Sequence, residues 1–127
     1  GGVFKQNLVD TGAGKVIAEQ LQSIGFPIII FAFIAATIIR VLQGSATVAM
    51  ITAAGLCAPI VATASLSEIQ LAAIVISISS GATMFSHIND SGFWIVKQYF
   101  GLDERQGIRM WTVGSTILGL ERFWCIM

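Results

Sequence analysis

QLQSIGFPIIIFAFIAATII (Gln20–Ile39), then Arg40, then VLQGSATVAMITAAGLCAPIVATASLS (Val41–Ser67) decides the fold: two stretches of 20 and 27 residues carry no charge, and one arginine separates them. A helix needs about 20 predominantly apolar residues to cross a hydrocarbon core roughly 30 Å thick, so each stretch is long enough to span a bilayer. A third, Ile69–Asn89, holds His87 as its single ionisable group. Composition points the same way, with 55% hydrophobic and 11% charged residues over 127 positions, where soluble domains average about 25% charged. The competing reading, a buried helical core within a large soluble protein, would leave few charges to cover a surface. The chain therefore reads as all-α and polytopic, embedded in a lipid bilayer. The expected spans are 23–39, 41–63 (broken or folded as a hairpin), 69–96 and an incomplete 110–120, together one partial membrane domain over residues 1–127.

The texture of these stretches differs. Gly25-Phe26-Pro27 opens the first, because proline is tolerated in a first helical turn where its missing N–H has no partner to lose. Gly44, Ser45, Thr47, Thr52, Gly55 and Pro59 interrupt the second. Irregular backbone survives at membrane depth only where protein or a water-filled cavity satisfies its N–H and C=O groups. Small and hydroxyl residues also serve as plain packing glue between transmembrane helices. Asp103, Glu104, Arg105 and Arg109 mark a solvated connection after Lys97, with a short interfacial helix expected through Tyr99 and Phe100. Met110–Leu120 then offers only 11 uncharged residues, too few to cross. Counting basic residues in the connections sets Arg40, Lys97, Arg105 and Arg109 against Lys5 and Lys15, which favours a cytoplasmic 97–109 loop.

Several function classes drop out. Gly1–Glu19 carries Lys5, Asp10, Lys15 and Glu19 and lacks the basic start and short apolar core of a signal peptide. Seven basic residues balance seven acidic ones, and no Lys/Arg cluster marks a nucleic-acid footprint. Cys57 and Cys125 have neither metal spacing nor the density of a disulfide scaffold. A single histidine cannot, with Asp90, complete a zinc site, so no catalytic metal centre, no cofactor and no enzyme is expected. Beginning at Gly1-Gly2, the chain reads as an internal or C-terminal piece of a longer protein.

The polar residues fall into two stripes. At about 100° per residue, Arg40, Gln43, Gly44 and Thr47 follow an i, i+3, i+4, i+7 pattern and would face one neighbour. Ser79, Ser80, Thr83, Ser86, His87 and Asp90 fall on a second arc, with Ile78, Phe85 and Ile88 away from it. Ionisable groups at membrane depth cost about 2.5–3.5 kcal/mol on insertion scales, which makes His87 and Asp90 functional candidates. Gly44-Ser45-Ala46-Thr47 and Ser80-Gly81-Ala82-Thr83 also match in texture, as paired interruptions of discontinuous transporter helices do.

RVLQGSATVAMITAAGLCAPI (Arg40–Ile60) and SGATMFSHINDSGFWIVKQYFGL (Ser80–Leu102) closely resemble the C-terminal part of the gluconate permease family of bacterial inner-membrane proton symporters. GGVFKQNLVDTGAGKVIAEQL at the start and RMWTVGSTILGL (Arg109–Leu120) look like the same family, whereas the tail ERFWCIM departs from its pattern. The resemblance implies the C-terminal part of an inverted-repeat transporter, multi-pass in the inner membrane, that takes up gluconate or a related sugar acid with H⁺. A truncated, non-transporting remnant or a structural membrane subunit is the alternative, and homo-oligomerisation is left open. A sugar acid offers one carboxylate and several hydroxyls. Arg40 is the candidate for the carboxylate. Gln43, Ser45, Thr47, Ser80, Thr83 and Asn89 are candidates for hydrogen bonds, and Gly44 and Gly81 for close backbone approach. Asp90, with His87, is the candidate for proton coupling, since a carboxyl group taken out of water holds its proton more readily.

Overall fold

The computed structural model describes residues 27–127 and, ahead of them, Val3, Gln6, residues 10–12, Val16, Glu19, Gln20, Ser23 and Gly25. Lys5 and Lys15 of the charge count, and residues 24 and 26 of the first expected span, lie outside these. Helices alone form among the described residues, as the sequence predicts: α1 (Ile28–Gln43), α2 (Ala46–Thr63), α3 (Glu68–Thr83), α4 (Ser91–Tyr99), α5 (Glu104–Gly107), a π-helical segment (Ile108–Thr112) and α6 (Val113–Trp124).

Each boundary has a local cause. Pro27 is the N-cap of α1, one residue outside the first turn, and its carbonyl accepts from the N–H groups of Ile30 and Phe31. α1 stops at Gly44, whose left-handed φ of 72° ends the helix while its N–H donates to the Arg40 carbonyl at 2.8 Å. Ser45 then caps α2, its hydroxyl accepting from the Val48 N–H. Ser67 and Gln70 form a reciprocal capping box on α3, and Asp103 and Gln106 do the same on α5. Asp90 caps α4 by accepting from the Gly92 N–H at 3.1 Å.

The expected 41–63 stretch is broken at Gly44-Ser45, two of its interrupting residues, whereas the interruption within 69–96 lies where the sequence placed none. α2 runs unbroken across Pro59 and forms no hairpin; the break falls ahead of it, at Gly44-Ser45. The stretch expected as 69–96 divides at Met84–Asp90, where Phe85 adopts a φ of 51°. Residues 110–120 belong to continuous helix from Glu104 to Trp124 that includes the π segment. Both polar arcs therefore fail as single helical faces, because the helix ends inside each of them.

α1, α2 and α3 hold 16, 18 and 16 residues, or about 24 to 27 Å at 1.5 Å per residue. Among the described residues, no helix is both long and apolar enough to cross a membrane.

Small residues make the core. Ala32 and Ala36 of α1, Ala49, Ala53 and Cys57 of α2, and Ile74, Ile78 and Ala82 of α3 form one buried cluster. The backbones approach closely: a Cβ on Gly81 would run into the Phe33 carbonyl of α1, and one on Gly119 would lie 2.8 Å from the Ser80 carbonyl. Ser77 Oγ adds an interhelical bond to the Ile29 carbonyl at 2.6 Å. Many large apolar side chains point outward instead, among them Leu42 at 72%, Ile69 at 81% and Val75 at 66% exposed. Lys97 of α4 pairs with Glu104 of α5 and lies 4.9 Å from the Trp94 ring centre. Their hydrogen bond holds the Glu104 carboxyl below its usual range.

Candidate functional site

Both helix interruptions meet at Arg40. Its guanidinium is buried in the last turn of α1, with 5% of the side chain exposed. Nη1 donates to the Gly44 carbonyl at 2.6 Å, and Nη2 to Asp90 Oδ2 at 2.5 Å. The arginine thus satisfies the carbonyl that the broken helix frees and reaches across to the second break. Its Nε is buried without a hydrogen-bond partner among the described residues.

Asp90 is 9% exposed and draws three donors: Arg40 Nη2, the Ser86 hydroxyl and the Gly92 N–H. Three donors around one carboxylate suit its ionised form. The carboxyl group is out of water, as the sequence suggests, and is also paired with a cation and two further donors. Removing either member of a buried pair costs about 3–5 kcal/mol, because the other charge is left uncompensated.

The loop that delivers Asp90 is fastened from the C-terminal helix. Phe85 and Ser86 donate their N–H groups to the hydroxyls of Thr116 and Ser115, both at 3.3 Å. Thr112 Oγ1 donates to the Ser86 carbonyl at 2.6 Å, and Trp111 Nε1 to the Ser86 hydroxyl at 2.7 Å. Trp111 and Thr112 lie in the π segment. Such segments shift the residues after them around a helix and recur at functional sites.

A cavity of about 260 Å³ opens onto this cluster; Arg40, Thr83, Ser86, Asp90, Trp111 and Ser115 supply its polar edge. Ala46, Ala82, Gly114 and Leu118 line the remainder. A basic group, a carboxylate and several hydroxyls on a small, mostly apolar cavity can hold a small polar anion.

Of the residues singled out in the sequence, Arg40, Thr83 and Asp90 line the cavity, and Gly44 lies against it through its carbonyl. A Cβ at Gly44 would run into the Asn89 carbonyl. Asn89 itself donates to the Leu42 carbonyl at 3.2 Å, tying the two breaks together. Gln43 and Thr47 are exposed and outside the cavity, because the helix that would have aligned them with Arg40 ends at Gln43. Ser45 caps α2, Ser80 Oγ donates to the Ile76 carbonyl, and Gly81 packs against α1. His87 is half-buried, its Nδ1 2.7 Å from the Phe85 carbonyl. Ser86, Trp111 and Ser115 belong to the site without having been chosen from the sequence. Ser86 already lay on the polar arc, and Trp111 and Ser115, four positions apart, share a helix face.

The chain matches the model for the GntP family permease over residues 1–127. It is 45% identical over 119 residues to the low-affinity gluconate transporter of Escherichia coli (strain K12), covering 94% of this chain and 27% of that protein. It is also 45% identical over 129 residues to the inner membrane permease YgbN of the same organism, covering 99% of this chain and 28% of YgbN. With the gluconate permease of Bacillus subtilis (strain 168) identity is 38%, over 94% of this chain and 26% of that protein. No solved structure matches. The chain spans about a quarter of the length of these relatives, and its match to the family model over all of residues 1–127 makes it a member of the GntP family of permeases.

Proposed function

We propose that this chain forms part of the substrate site of a secondary transporter that carries gluconate or a related sugar acid with H⁺ across the bacterial inner membrane. The observation that carries this reading is the Arg40–Asp90 pair, buried where two interrupted helices converge on a cavity. Relatives named as gluconate transporters and as an inner membrane permease supply the substrate class and the compartment, and favour transport over catalysis. The outward-facing Leu42, Ile69 and Val75 suit lipid or the remaining three quarters of such a transporter. Discontinuous helices meeting at a transporter's midplane provide the geometry in which broken backbone is tolerated.

In this reading Arg40 receives the carboxylate, and Thr83, Ser86 and Ser115 offer hydroxyls to the polyol chain. Gluconate uptake into proteoliposomes by the full-length protein tests it. Arg40→Gln is expected to raise KM by on the order of thirtyfold or more, the loss of about 2 kcal/mol or more for a buried charged partner. Unchanged KM in a correctly inserted variant would leave Arg40 a purely structural cap.

A further inference from the structure

Resting on the transport reading, we propose that the Arg40–Asp90 pair is an exchange device. The substrate carboxylate takes Asp90's place on the guanidinium only when Asp90 carries a proton, and the Ser86 hydroxyl reverses direction to serve the substrate.

Charge balance requires the exchange. From α1, α2, α3, the 84–90 loop, the π segment and α6, the residues that line the cavity include two charged ones, Arg40 and Asp90. His87, on the same loop, has its Nδ1 against the Phe85 carbonyl. Among the described residues the empty site is therefore neutral. An organic anion entering beside ionised Asp90 would leave an uncompensated negative charge in a desolvated cavity, which is strongly disfavoured. An anion entering beside protonated Asp90 leaves the sum at zero. One monocarboxylate thus brings one proton.

The bonds can be followed individually. Water delivers the proton to Asp90 Oδ2; the Nη2 to Oδ2 hydrogen bond breaks, and Nη2 donates to the incoming carboxylate. Nη1 stays on the Gly44 carbonyl, so the helix break keeps its cap. Nε, buried without a partner among the described residues, is a further donor on the same guanidinium.

Ser86 conveys the proton's arrival. Its hydroxyl donates to Asp90 Oδ2 and accepts from Trp111 Nε1. A hydroxyl has one proton and two lone pairs, and an indole nitrogen only donates. Once protonated Asp90 donates to Ser86 Oγ, both lone pairs are taken, so the Ser86 proton turns to a new acceptor. The substrate in the cavity supplies one. Ser86 is thereby a specificity-determining residue, and Trp111 positions it.

The experiment is calorimetric titration of gluconate into the full-length protein in lipid nanodiscs across pH, repeated in buffers of different ionisation enthalpy to count protons. The wild type is expected to take up one proton per gluconate, with Kd weakening tenfold per pH unit above the titration of Asp90. Asp90→Asn is expected to bind with a pH-independent Kd and no proton uptake, and in liposomes to equilibrate gluconate without accumulating it. Trp111→Phe is expected to keep the single proton while weakening Kd about tenfold. Gluconate binding by the wild type without proton uptake, or retained uptake in Asp90→Asn, overturns the exchange while leaving the transport reading intact. A folded wild type that binds no gluconate overturns both. The wild-type proton count decides the matter even if a variant fails to fold.

Discussion

The two interruptions that meet at the cavity are built by opposite means. Between α1 and α2 the chain turns in two residues, with a glycine in the left-handed region and caps drawn from at most four positions away: Arg40 for the Gly44 carbonyl and Ser45 for the Val48 N–H. Between α3 and α4 it takes seven residues and passes through Phe85 at a φ of 51°. That loop is held by Trp111, Thr112, Ser115 and Thr116, which lie 25 to 31 positions from their partners. A break encoded by its own residues is rigid by default. A break held by a distant helix depends on that helix being docked, and is the better place for a movable element. The Arg40–Asp90 pair and the Asn89 to Leu42 bond join the two kinds.

Breaking that join should have the largest effect. Arg40→Met or Asp90→Leu alone is expected to lower the stability of the full-length protein in detergent by about 3–5 kcal/mol, since each strands a buried charge. The double variant should recover most of that loss, and thermal melts of all three form the cycle that checks it. Additive losses would mean that the breaks are not coupled through this pair.

Next comes Gly44→Ala, which forces a side chain into the left-handed region and into the Asn89 carbonyl. It is expected to cost about 2–3 kcal/mol. A loss below about 0.5 kcal/mol, within the range of neutral surface changes, would show that the first break is not set by its glycine. The smallest effect is predicted at the other break. Phe85→Gly removes left-handed strain worth of order 1 kcal/mol from a side chain that is 40% exposed, so its melting temperature should be unchanged or slightly raised. A clear destabilisation would show that Phe85 anchors the loop by packing.

Legibility in the sequence follows the same division. The Gly44-Ser45 interruption was visible because its glycine and its capping serine are adjacent letters, and Arg40 stood out as a lone charge between apolar runs. The division of 69–96 was not visible as a helix end: Ile69–Asn89 contains no proline, and Phe85 is a poor predictor of a left-handed turn. Extrapolating one helix through it aligned Ser79 to Asp90 into a single face, and extrapolating another through Gly44 placed Gln43 and Thr47 beside Arg40. Asp90 stands out in the sequence for its charge, but its surroundings are not legible there, because the donors around it come from Arg40, 50 positions earlier, and from Ser86.

Helicity, long uncharged apolar stretches and the unusual positions Arg40, Gly44 and Asp90 can be read from the residues in order. Composition and local backbone preference act residue by residue, so they can be read in order along the chain. That Arg40 and Asp90 are partners, that Ser86 lies between Asp90 and Trp111, and that a cavity of about 260 Å³ opens there emerges only when the helices pack. Those facts depend on helices distant in sequence approaching across alanine and glycine faces, and on buried polar groups whose loss would strand a partner in another segment.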